Sequence, residues 1–173
     1  MHQPSQPSLP HTQGLADSAI DAAWAVMPPD SEIEVTRLLP VVVGAHPRSE
    51  IADRPLANRL VAAIRQWQRQ AIPDEDERLI PMVMTDLWYL NDKELLLQPA
   101  IAIGEPGANA ASAYYGTRLP KAYVVDGQLQ VLADLEFLEP SVTLWGVDPY
   151  RTRTALDWFI ARHLGRFLES VHS

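Results

Sequence analysis

Apolar residues in this chain fall into two periods. Short unbroken runs recur at Val41-Val42-Val43, Met82-Val83-Met84, Ala100-Ile101-Ala102-Ile103, Ala122-Tyr123-Val124-Val125 and Val142-Thr143-Leu144-Trp145. Their length and composition predict strands. The runs at 41, 82 and 100 lack polar alternation, as expected where both faces are covered. Between the runs the spacing shifts to three and four. Leu56, Leu60, Ala63, Ile64 and Trp67 form one helical stripe, with Asp53 as the expected cap and Pro55 in the first turn. Asn91 to Glu94 has the spacing of a capping box and predicts a short helix through Leu97. The small residues between Ala108 and Tyr115 predict a helix lying close to a sheet. Leu156, Phe159, Ile160, Leu164, Phe167 and Val171 predict a closing helix, capped by Asp148.

One hairpin interrupts this alternation. Asp126-Gly127 favours a type I′ turn, and Leu129, Val131, Ala133, Leu135 and Phe137 then alternate with mostly polar residues. That pattern predicts one long antiparallel strand with a wetter face. Upstream, Ile20, Ala23, Trp24 and Met27 predict a short helix, started at Asp17 or Ser18 and ended by Pro28-Pro29. Ile33 and Val35 alternate with Glu32, Glu34 and Thr36, as in a short half-buried strand. The expected fold is an α/β three-layer sandwich. Its sheet is doubly wound and mostly parallel, with an antiparallel hairpin strand toward one side.

Proline sharpens this outline. The chain holds 15 prolines in 173 residues, roughly twice the average share. Pro40, Pro81, Pro99, Pro120 and Pro140 stand at or near the starts of the five apolar runs, where a missing N–H costs least. Three of those runs end in Gly44, Gly104 or Gly146, followed shortly by Pro47, Pro106 or Pro149. Glycine permits a sharp turn and proline suits the first turn of a helix, so strand, turn and helix recur three times. Only Pro4, Pro7 and Pro10 lie in the Gln, Ser and His rich start. A disordered tail over residues 1–16 is expected there, ahead of a single α/β domain over 17–173.

Charge and composition narrow the function classes. The net charge is −8, from 22 acidic against 14 basic residues, which disfavours nucleic acid as a partner. With no cysteine, disulfides, thiolate catalysis, Cys-type zinc sites and Cys-ligated iron–sulfur clusters are excluded. No apolar run approaches the ~20 residues of a membrane helix, so no membrane partner is expected. The first residues have neither the basic nor the apolar part of a secretory signal. A cytoplasmic location is the default expectation.

In an open parallel sheet, ligands bind beyond the carboxyl ends of the strands, here the turns beginning at Gly44, Thr85, Gly104 and Gly146. Gly104 and Gly107 precede a helix start and could offer free N–H groups to an anion, although the spacing matches neither a dinucleotide fingerprint nor a P-loop. Asn109 either contacts the ligand or caps that helix. Arg48 could hold a carboxylate or phosphate, with Ser49 beside it. His46 and Asp86 are the acid–base candidates, and Trp88 either stacks on a planar ligand or packs over helix ends. Asp148 completes the set of ligand candidates. Asp134 and Glu136 read as a solvated strand face, and no metal site is assigned.

The run Ile103 to Asn109 is similar to Gly-Pro-x-x-Asn turns of some bacterial surface-layer domains over seven residues. It departs from them at Glu105, and the likeness implies no function. Two functions remain in play. One is a small polar or anionic ligand bound at the strand ends, with or without turnover; the cofactor is unassigned. The other is a non-catalytic interaction or scaffold domain that self-associates into a homo-oligomer.

Overall fold

The computed structural model describes residues 34–172. The expected tail over residues 1–16 and the helix around Ile20 to Met27 lie outside that range. Within it, six strands form one sheet: β1 (Leu38–Val43), β2 (Ile80–Thr85), β3 (Ala100–Ile103), β4 (Lys121–Val125), β5 (Leu129–Ala133) and β6 (Ser141–Gly146). Their spatial order is β2-β1-β3-β6-β5-β4. β2, β1, β3 and β6 run parallel, whereas β5 is antiparallel to both β6 and β4. The helices are α1 (Pro47–Ala52), α2 (Arg54–Ala71), α3 (Asp86–Asn91), α4 (Ala110–Gly116), α5 (Pro149–Arg162) and α6 (Leu164–Val171). The three-layer α/β sandwich is therefore present, with its mostly parallel sheet and antiparallel hairpin.

Alternation along each strand decides which layer it meets. Leu39, Val41, Val43, Ile101, Ile103 and Leu144 face α2, α5 and α6 in the larger core. Leu38, Val42, Ala100 and Ala102 face α3 and α4 on the other side, where Ala111, Tyr89 and Tyr115 join them. The alanines of β3 and α4 let that helix lie near the sheet, as its small-residue composition predicts.

Several boundaries differ from the sequence expectation, each for a physical reason. Pro40 and Pro81 lie inside their strands rather than before them. Pro40 is tolerated because β3 pairs with β1 only from Val41 onward, so no ladder bond from its nitrogen is missing on that side. Residues Val35–Arg37 form a 3-10 turn, not a strand. The long strand after Asp126-Gly127 stops at Ala133, because Asp134 accepts bonds from Glu136 N and Leu138 N and curls the chain. Phe137 then takes a positive φ of 52° and turns its ring into the core. Asp92, not Asn91, organises the turn before Leu95–Leu97. The closing helix breaks in two at His163, with Asp148 capping its start as expected.

Among the described residues, no helix is long and apolar enough to cross a membrane.

The loop after β3 crosses directly over the end of β1. A Cβ added at Gly44 would fall 1.9 Å from the Ala108 carbonyl oxygen, a distance that requires backbone to move. Gly44→Ala is expected to cost ~3 kcal/mol or more by urea denaturation. Gly127→Ala, at φ +65° with nothing nearby, should cost only ~1–2 kcal/mol for the left-handed conformation.

Candidate functional site

The four parallel strands deliver their turns to one edge, as the sequence predicts. The order in which successive strands are added reverses between β1 and β3, the usual position of a ligand crevice in such sheets. Here the crevice is bridged by the protein itself. Asn109 is fully buried. Its Nδ2 donates to Val42 O at 3.1 Å and Ile103 O at 2.9 Å, while its Oδ1 accepts from Ala111 N and Ser112 N. Both donors and both lone pairs of the amide are in use, so the helix-cap alternative holds and nothing polar remains for a ligand.

Asp86 completes the bridge. Its Oδ1 accepts from Ala45 N and Leu87 N, both at 2.8 Å, and its Oδ2 accepts from Ala110 N at 2.7 Å. A buried carboxylate thereby sits where an external anion was expected, at the start of α4. Every N–H of that first turn has a partner: Ala110 bonds to Asp86, Ala111 and Ser112 to the Asn109 side chain, and Ala113 to Asn109 O. Of the donors expected behind Gly104 and Gly107, Gly104 N donates to Leu144 O at 3.0 Å and the first-turn N–H groups of α4 are taken.

Two hollows flank the loop carrying Ala108, and the predicted site residues divide between them. Arg48, Ser49 and Asp148 line the first, together with Asp53, Glu105 and Thr152. His46, Asp86, Gly107 and Asn109 line the second, a shallow and much wider one beside Leu87. Trp88 lines neither and is 55% exposed on α3. His46 is exposed, and its Nδ1 accepts from Arg48 N at 3.1 Å to cap α1. Gly104 is buried with φ +115°, and a Cβ there would lie 2.6 Å from Asp53 Oδ2.

The first hollow is a pocket of about 90 Å³, and its floor was not foreseen. Asp53 stands between α1 and α2 with φ −97° and ψ −32°. A capping side chain needs extended backbone at that point. Because α1 runs almost directly into α2, Asp53 has helical dihedrals and makes no side-chain cap bond. Its carboxyl turns instead toward Gly104 and the pocket, 8% exposed. Burial pushes its pKa up to about 6, with the Glu105 charge adding to the rise and the nearby Ser49 hydroxyl opposing it. Ser49 is fully buried and its Oγ has no hydrogen bond of ordinary geometry.

The other lining groups are more committed. Thr152 Oγ1 accepts from Gly146 N and donates to Asp148 O. One Asp148 oxygen accepts from Arg151 N at 2.7 Å. Among the described residues, no group of three or more His, Asp or Glu is placed to hold a metal ion. Asp134, once grouped with Glu136 on a strand face, organises a turn instead.

No protein-family model, no curated protein and no solved structure matches this chain.

Asp53 makes stability depend on pH in a stated direction. Its folded pKa lies above the ordinary aspartate value, so the folded state retains a proton that the unfolded chain loses between about pH 4 and pH 6. Its charge therefore lowers stability as pH rises through that window, by ~1–3 kcal/mol in total. Asp53→Asn should be more stable than the parent at pH 8 by that amount, with the difference closing by pH 4. Urea melts across the range measure it; a variant equally destabilised at both ends would contradict this account.

Proposed function

We propose that this domain binds a small polar ligand in the pocket formed by α1, the loop after β3 and the turn after β6. The observation that carries the proposal is Asp53. A carboxyl with little exposure and no backbone donor lowers stability, and such groups concentrate where a protein recognises something or moves protons. Asp86, on the same edge, has three N–H donors and is explained by structure alone. Asp53 has no such explanation. The buried Ser49 hydroxyl beside it has no hydrogen bond of ordinary geometry, and Arg48 lies among the lining residues as a cation.

A proton-transfer role for Asp53 is compatible with its pKa near neutrality, but binding is the function the pocket supports first. Amide chemical shifts of the full chain, titrated with glycol, acetamide, acetate, phosphate and ethylammonium, test it. At least one probe should give saturable shifts concentrated at 48–53, 105–108 and 146–152. Shifts confined to the hollow beside Asp86, or none at all, would sink the proposal.

A second reading, self-association as a scaffold, has one observation in its favour. Ile51, Leu87, Trp88, Val147 and Tyr150 are all large, apolar and more than half exposed, and all stand on the same carboxyl edge. Light scattering would show a dimer or larger species that Trp88→Ser together with Tyr150→Ser disperses. A strict monomer at ~100 μM would remove this reading, since a functional interface of standard size holds at such concentrations.

A further inference from the structure

We propose that β4 is a self-association edge, along which a second copy of the chain lays its own β4 antiparallel to the first and joins the two sheets into one. β4 stands at the end of the sheet, and among the described residues no strand pairs with its outer side. Alternate N–H and C=O groups on that side are therefore open to another strand. The opposite edge, β2, is less suited, because Pro81 inside it lacks a donor. β4 contains no proline; it reads Lys121-Ala122-Tyr123-Val124-Val125, with Asp126 next.

Charge selects the occupant. Lys121 and Asp126 are both exposed, and neither makes an ion pair among the described residues. They bracket the strand with opposite signs. A two-fold axis through Tyr123 sets residue 121 of one copy opposite residue 125 of the other, so each Lys121 lies beside the other copy's Asp126. A lysine alone would protect the edge from pairing. A lysine at one end with an aspartate at the other is complementary to itself under a two-fold axis. Tyr123 stacks on Trp158, with ring centroids 4.7 Å apart and planes 11° from parallel, and the axis brings two such stacks together. On the other face, α3 packs on β1 and β2, and α4 on β3 and β6. The row Val124, Gln130 and Trp145 stays half-buried there, and an added strand shields its outer end at Val124. The contact is a weak one. The register shift between Lys121 and Tyr123 limits the shared ladder to a few bonds, and the net charge of −8 opposes association.

The test is sedimentation velocity of the full chain from ~10 μM to ~1 mM, a range that spans weak association, with amide hydrogen exchange at both ends. A reversible dimer should form, and alternate amides of β4 should exchange more slowly as concentration rises. Lys121→Glu or Asp126→Lys alone should weaken the dimer roughly tenfold or more, because like charges then meet at two symmetric places. Lys121→Glu combined with Asp126→Lys should restore it, which a merely structural role of either residue would not do. Trp88→Ser with Tyr150→Ser should leave it intact, which separates this edge from the apolar patch on the carboxyl edge. A chain that stays monomeric at ~1 mM would overturn the proposal, as would a dimer insensitive to the single reversals or not recovered by the double one. Outer β4 amides already protected in the monomer would overturn it too, since another segment would then hold that edge.

Discussion

Where parallel strands end side by side at the centre of a sheet, their last carbonyls and the first N–H groups of the next helix must find partners without water. Asp86 and Asn109 meet this requirement together. Asn109 joins the ends of β1 and β3 and caps α4; Asp86 ties the turn after β1 to the first N–H of the same helix. Their bonds fix the loop between Gly104 and Asn109 across the edge, which in turn demands that position 44 have no side chain. That crossing divides the edge into two hollows. It also places Gly104 against Asp53, so the floor of the narrower pocket depends on it.

Asp86 and Asp53 show how environment separates two chemically identical side chains. Each is buried on the same edge, Asp86 as the first residue of α3 and Asp53 just before α2. Asp86 accepts three backbone N–H donors, which offset the cost of its burial. Asp53 has only a neighbouring hydroxyl in its favour, and its charge is disfavoured by burial and by Glu105. A chain selected for stability alone would tolerate asparagine at 53 more readily than at 86, because an amide at 86 would turn a donor toward donors.

The fold was largely legible because its cues are local. Unbroken apolar runs, a helical stripe at 56–67 and Asp126-Gly127 each name their element within a few residues. The same locality explains the errors. Nothing near Leu135 and Phe137 indicates that Asp134 will bend the chain, since their alternation is equally good for a strand. Nothing near Asp53 indicates that a second helix ends immediately before it, which changes its backbone from extended to helical. The site was legible as an edge but not as a pocket. Arg48, Ser49 and Asp148 belong to the pocket, but Asn109 and Asp86 were claimed by backbone groups far away in sequence, Val42 and Ala45 among them. Long-range hydrogen bonds of this kind leave no pattern in a single chain.

The position of the pocket follows from the same bonds. A doubly wound sheet ordinarily leaves a crevice at its switch point because the helices on either side diverge to opposite faces. In this chain the loop after β3 fills that crevice and is held there by the side chains of Asp86 and Asn109. A ligand cannot displace the loop without breaking buried hydrogen bonds, each left costly if unpaired. Space remains only to either side. Toward α3 and α4 the hollow is shallow, and its one buried acid is already satisfied by N–H donors. Toward α1 and α5 the walls come from three separate turns, after β1, β3 and β6, and the buried acid there makes no side-chain cap bond. The remaining polar hollow is thus moved from the switch point onto the larger-core face by the contacts that close the switch point.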